Sequence, residues 1–159
     1  MVVPVSKDVT TAFNWDSLPV KIGATVDGIA GAQPTVITVP AGKRWLFLGA
    51  SFTFVTSAVG GNRILNVYVR PDGANSECIV ASTTAHIASL TRNYYVIVSK
   101  TYGETLSGIN YLLGLGVASG AVELMPGGNV LFDVAAIDAT AGTGDNASAV
   151  SYYYKEAPV

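Results

Sequence analysis

Between Arg44 and Val55 the chain alternates with a period of two, a pattern that few folds accept. Leu46, Leu48, Ala50, Phe52 and Phe54 fall on one face of an extended strand. Trp45, Phe47, Gly49, Ser51, Thr53 and Val55 fall on the other. The first set reads as the core face. The second begins apolar and turns polar, as expected of a strand half covered by a neighbour. The run is entered through Pro40-Ala41-Gly42, where proline fixes φ and glycine permits the reversal. It is left through Val59-Gly60-Gly61-Asn62, residues that accept positive φ at little cost. Arg63–Arg70 then alternates again, Leu65, Val67 and Val69 against Asn66, Tyr68 and Arg70, up to a Pro71-Asp72-Gly73 turn.

The same grammar continues. Asn93–Ser99 sets Tyr94, Val96 and Val98 opposite Tyr95, Ile97 and Ser99. Leu124-Met125-Pro126-Gly127-Gly128-Asn129 leads into Val130–Asp138, much as Pro40-Ala41-Gly42 leads into the first long strand. Ala149–Lys155 closes the chain with Tyr152 and Tyr154 on one face and Tyr153 on the other. Glu77–Ala81 is a short strand, and Thr83–Leu90 is a helical turn or an irregular loop. Leu106–Val117 is apolar, but Gly108, Gly114 and Gly116 weaken it as a regular element. The segment 139–146 is a flexible polar loop.

Short strands punctuated by turns, with scarcely any helical period, predict an all-β fold: an antiparallel two-sheet sandwich. The jelly roll leads, because two similar turn-and-strand units suggest two similar halves. An immunoglobulin-like topology comes second, since the lone Cys78 cannot supply its usual Cys–Trp–Cys spacing. Residues 1–33, broken by Pro4, Pro19, Gly23, Gly28 and Gly31, read as an N-terminal arm plus the first strand or strands, including Val20–Val26. Residues 34–159 form the sandwich, within a single domain overall. A chain of 159 residues needs no disulfide or metal to fold.

Composition then asks what the surface touches. Half the residues are apolar and 13% are charged, where about 25% is usual. A surface so short of charge predicts partial coverage by other chains. No window approaches 18 apolar residues, so no membrane-spanning helix is expected, and a lipid-facing barrel is a weaker reading than a soluble sandwich. The nine Lys and Arg are scattered, with only Lys43 and Arg44 adjacent; nucleic acid would want a concentrated stripe. The N-terminus lacks a basic segment followed by an apolar one, so synthesis in the cytosol is expected.

The search for chemistry yields little. His86 is the only histidine, and no nucleophile elbow accompanies it. Cys78 reads as a buried small hydrophobe, and one Cys with one His cannot build a zinc site. Asp133 and Asp138 fall on opposite faces of a strand. Asp133 is expected at a subunit contact or paired with Arg63 or Arg70. Asp72–Glu77 puts oxygen ligands in a turn without calcium-loop spacing. Gly114-Leu115-Gly116 and Gly42-Lys43 each lack the glycines of a nucleotide loop, and Asn146-Ala147-Ser148 is a chance sequon. No catalytic residue, cofactor or metal is predicted. Tyrosine and tryptophan, in contrast, exceed what a core needs, and such rings dominate protein interfaces. Trp45, Phe47, Tyr68, Tyr152, Tyr153 and Tyr154 are the interface candidates. Exposed rings also stack sugars, so a carbohydrate- or receptor-binding module of a phage tail or fibre is the alternative.

Val39-Pro40-Ala41-Gly42-Lys43-Arg44-Trp45 with its alternating strand, Gly61-Asn62-Arg63 with the next, and Leu124-Met125-Pro126-Gly127-Gly128-Asn129 resemble the turns of small β-sandwich virion proteins of tailed bacteriophages. The likeness covers Thr35–Asp138 and rests on turn chemistry. It implies a head decoration, or cement, subunit on the capsid surface, homotrimeric and bound to the major capsid protein, and made in the host cytoplasm. It carries over no functional residue beyond the turns.

Overall fold

In the computed structural model of the protein, eleven strands carry almost all of the regular structure among the described residues. The structure describes residues 14–30, 35–59, 62–74, 78–81, 85–100, 103–116, 122–136 and 145–159. In order they are β1 (Lys21–Ala30), β2 (Thr35–Thr38), β3 (Lys43–Val55), β4 (Arg63–Arg70), β5 (Cys78–Ala81), β6 (Thr91–Ser99), β7 (Gly103–Ser107), β8 (Asn110–Gly116), β9 (Val122–Leu124), β10 (Asn129–Ala136) and β11 (Asn146–Pro158). A 3-10 turn, Trp15–Ser17, precedes them, capped by the Asn14 side chain accepting from Asp16 N–H.

Two sheets pack face to face. The larger runs β1-β11-β3-β6-β8-β7, with β9 also pairing β3; the smaller runs β2-β10-β4-β5. The pairings are nested: β1 with β11, β2 with β10, β3 with β6, β4 with β5, all antiparallel. The sandwich is not antiparallel throughout, as the alternation had suggested. β8 lies parallel to β6, because the β7–β8 hairpin folds back so that its second strand, not its first, joins the sheet. That hairpin turns at Gly108, whose φ is +61°. The glycines that weakened Leu106–Val117 as one element therefore mark two. β1 belongs to the larger sheet, so the first strand is part of the sandwich. Residues 1–13, Gly60-Gly61, Asp138 and most of the 139–146 loop lie outside the described residues.

β4 is buried at every second position, Leu65, Val67 and Val69 inward, as its alternation requires. β3 departs from its expected phase. Trp45 and Phe47 are buried, Leu46 and Leu48 only half so, and the buried set then becomes Ala50, Phe52 and Phe54. The cause is a bulge. Tyr154 faces Phe47 while Tyr153 faces Gly49, leaving Leu48 as an extra residue on β3. One inserted residue moves every later side chain to the opposite face. The bulge needs Gly49: a Cβ there would overlap the Val96 carbonyl oxygen of the adjoining β6.

The core fills the space between the sheets. Phe52 of β3 lies against Tyr94 of β6, with ring centroids 5.3 Å apart, and edge-on to Phe132 of β10 at 5.6 Å. Val67, Val69, Leu113, Leu115 and Val130 complete it, all fully buried. Each such side chain stabilises the fold by about 1.5–3 kcal/mol.

Two of the turns behind the resemblance, those at Pro40 and Pro126, meet the Pro71 turn at one end of the sandwich. Val39 N–H donates to Gly128 O at 2.9 Å and Gly127 N–H to Val39 O at 3.1 Å. Met125 N–H donates to Pro71 O at 3.0 Å. The approach is so close that a Cβ on Gly128 would overlap the Pro71 carbonyl.

Candidate functional site

The six aromatic candidates are not brought to one place. Trp45, Tyr152 and Tyr154 form a pile where β3 runs beside β11, with Trp45 centred 4.1 Å from Tyr154 and 5.9 Å from Tyr152. Phe47 is buried opposite Tyr154. Tyr152 and Tyr154 are half-buried against the core, and Tyr152 lies over Gly23 of β1, where no Cβ would fit. Tyr153 faces the other way, onto the outer surface of the larger sheet. Tyr68 sits on the outer surface of the smaller sheet, under the Arg70 guanidinium at 5.8 Å.

Charge caps the pile. Trp45 Nε1–H donates to Glu156 Oε2 at 3.0 Å, and Lys21 Nζ donates to Glu156 Oε1 at 2.8 Å. Lys43 Nζ stands 3.6 Å from the same oxygen. The Lys21 hydrogen bond, then that of Trp45, hold the Glu156 carboxyl below the usual carboxylate range, and the Lys21 ammonium is raised in turn. An indole with its N–H bound and its face covered is a structural ring. Trp45 is engaged by its own chain.

His86 is buried as well. Its Nε2 hydrogen-bonds the Tyr94 hydroxyl, and the rings of Phe54, Tyr94 and Tyr111 meet it edge-on, with Tyr111 at 5.4 Å. Its backbone bridges Arg63, His86 N–H donating to Arg63 O at 2.8 Å. Arg63 is fully buried. Its carboxylate partner is Asp145, at 2.7 Å from Nε. The Asp133 side chain, expected at a subunit contact or paired with Arg63 or Arg70, lies outside the described residues. Among the described residues no three of His, Cys, Asp and Glu cluster to hold a metal, and no helix is long and apolar enough to cross a membrane.

The most distinctive surface was not singled out by sequence. Ile22, Tyr153, Gly49 and Ile97 stand opposite one another across β1, β11, β3 and β6, facing outward. In the next row, Ser51 faces Tyr95, which faces Leu112 of β8. Ile22 is 72% exposed, Tyr95 46%, Ile97 41% and Leu112 39%. These four apolar or aromatic side chains lie on the solvent side of one sheet. At one end of this face the 3-10 turn is docked: Arg44 stacks over the Trp15 ring at 5.7 Å, and Lys155 Nζ donates to Trp15 O at 2.9 Å. At the other end the surface is polar, with Thr53 opposite Asn93 and Asn93 opposite Asn110.

No family model and no curated protein matches the chain. The function must be argued from these surfaces. The signal for the apolar rows was present in β6, where both faces carry large side chains, Tyr94, Val96 and Val98 on one and Tyr95 and Ile97 on the other. A sheet strand wet on one face normally alternates apolar with polar. Apolar residues on both faces call for two covers, and among the described residues nothing covers Tyr95 and Ile97 on the outer one.

Proposed function

We propose that the protein is a structural assembly subunit whose larger sheet packs its outer face against other protein. The observation that carries this is the exposed Ile22, Tyr95, Ile97 and Leu112 on one face of a chain with 13% charged residues. Contiguous apolar side chains rimmed by polar ones mark interaction sites, and aromatic residues are favoured within them while charge is depleted.

The strand order supports a finer reading, the jelly roll. With β7, β8 and β9 taken as an insertion, eight strands remain in nested antiparallel pairs: β1 with β11, β2 with β10, β3 with β6 and β4 with β5. A long ribbon of that kind rolls up when its pairs fall alternately in two sheets, here β1-β11-β3-β6 and β2-β10-β4-β5. Viral capsid and lectin domains share this architecture, although fold alone assigns no function. Together with the turn likeness, it favours a virion role: a decoration or cement subunit on a phage head, homotrimeric and seated on the major capsid protein.

Substitution tests the surface. Ile97→Asp with Leu112→Asp places charge in the proposed contact without touching the core. The double variant should keep its fold and lose self-association. Unchanged association by light scattering would reject this face as the contact.

A further inference from the structure

Where β11 runs beside β3, five residues of β11 (Ala147 to Ser151) span what four of β3 (Phe54 to Ser51) cover, so β11 bulges. Side-chain hydroxyls replace the interrupted ladder on both sides. Thr53 N–H donates to Ser148 Oγ and Val150 N–H to Thr25 Oγ1, each at 2.9 Å. The bulge opens a groove of about 240 Å³ on the outer face of the larger sheet, lined by Ser51, Thr53, Asn93, Tyr95, Ser148 and Ser151.

We infer that this groove binds a neutral sugar unit of a glycan. Among the described residues the lining holds no carboxylate, ammonium or guanidinium, so nothing there selects a charged ligand. What it offers is hydroxyls and one carboxamide, groups that both donate and accept, as a polyol does. The donors and acceptors are held in place. Thr53 Oγ1 donates to Asn93 Oδ1 at 2.9 Å, Asn93 Nδ2 donates to Asn110 Oδ1 at 3.0 Å, and Ser51 Oγ and Tyr153 Oη are 3.4 Å apart. A carboxamide so pinned keeps one N–H and one oxygen lone pair beyond these two bonds, and fixing it beforehand lowers the entropy cost of binding. Tyr95, 46% exposed at the groove's edge, supplies the aromatic surface against which the C–H faces of a sugar pack. Bulges recur beside functional sites because they re-aim side chains, and here the one in β11 brings Ser148 into the groove. Trp45, buried and bound to Glu156, takes no part in the groove. The groove takes in the polar end of this face, Thr53, Asn93 and Ser148, and meets the apolar rows at Ser51 and Tyr95, so a sugar bound there and a protein seated over Tyr95 exclude one another.

The test is a titration of the isotope-labelled full chain with glucose, galactose, mannose, N-acetylglucosamine and short oligomers of each, followed through backbone amide resonances. The expected result is saturable millimolar binding to at least one of them, with shifts centred on Ser51, Thr53, Asn93, Tyr95 and Ser148. Tyr95→Ala, at an exposed position, should weaken it by about tenfold or more. Asn93→Leu should abolish it, and if that variant does not fold, Tyr95→Ala decides alone. Glucuronate should bind no more tightly than glucose. The proposal is overturned if no saccharide shifts these resonances, if shifts centre elsewhere, if glucuronate binds more tightly, or if Tyr95→Ala binds like the native chain.

Discussion

Arg63 Nε donates to Asp145 Oδ2 at 2.7 Å, and both side chains are closed off from solvent. The pair is not left bare. Asp145 Oδ1 accepts from Ser57 N–H at 2.8 Å, and Arg63 Nη2 donates to Val59 O at 2.8 Å and Ser57 Oγ at 3.2 Å. One buried ion pair thus ties β4, the chain leaving β3 and the start of β11. Burial alone would raise the Asp145 pKa, but the hydrogen bonds from Arg63 and Ser57 outweigh it and hold the carboxyl below its usual range.

Removing one partner leaves the other charge buried. Asp145→Ala should therefore cost about 3–5 kcal/mol in urea unfolding. A change within experimental scatter would mean that water reaches Arg63.

The pH dependence follows from the same pair. A carboxyl with a depressed folded pKa stabilises fully above its unfolded value, and the contribution drains away as pH falls through the folded one. Native protein should lose stability on acidification below the ordinary aspartate range. Asp145→Asn should lack that component of the acid slope. Parallel acid titrations of the two proteins would contradict the assignment.

Gly49 is the hinge of the phase change in β3. Gly49→Val would press a side chain onto the Val96 carbonyl, and overpacking of this kind costs about 1–3 kcal/mol. Thermal melts check it. A neutral result would mean that β3 does not press against the Val96 carbonyl of β6 at Gly49.

Phe52 meets Tyr94 and Phe132 and is 5% exposed. Phe52→Ala should cost about 3–5 kcal/mol as a core truncation, read as a fall in the denaturation midpoint. A variant as stable as the native chain would place Phe52 outside the core.

Much of the architecture was legible in the sequence because alternation and Pro-Gly turns act locally. β4 is the clearest case: its inward residues follow from period two alone. The phase of β3 was half legible. Alternation puts Ala50, Phe52 and Phe54 in the core correctly but selects Leu46 and Leu48 over Trp45 and Phe47, since a bulge is set by the partner strand. Asp145 was read as part of a flexible loop because its partner, Arg63, is 82 residues away. The outer face stayed hidden for another reason. Alternation separates Tyr94 from Tyr95 but does not say which faces water when both faces are apolar. Only the register of β1, β11, β3, β6 and β8 lines up Ile22, Tyr153, Ile97 and Leu112 on one surface.

Sedimentation equilibrium of the purified chain at micromolar concentration is the most direct measurement of the central claim, that this outer face is covered by protein. The account predicts a particle at a multiple of the 16.4 kDa chain, three for the trimer favoured here. A homogeneous species at 16.4 kDa across that range would contradict it.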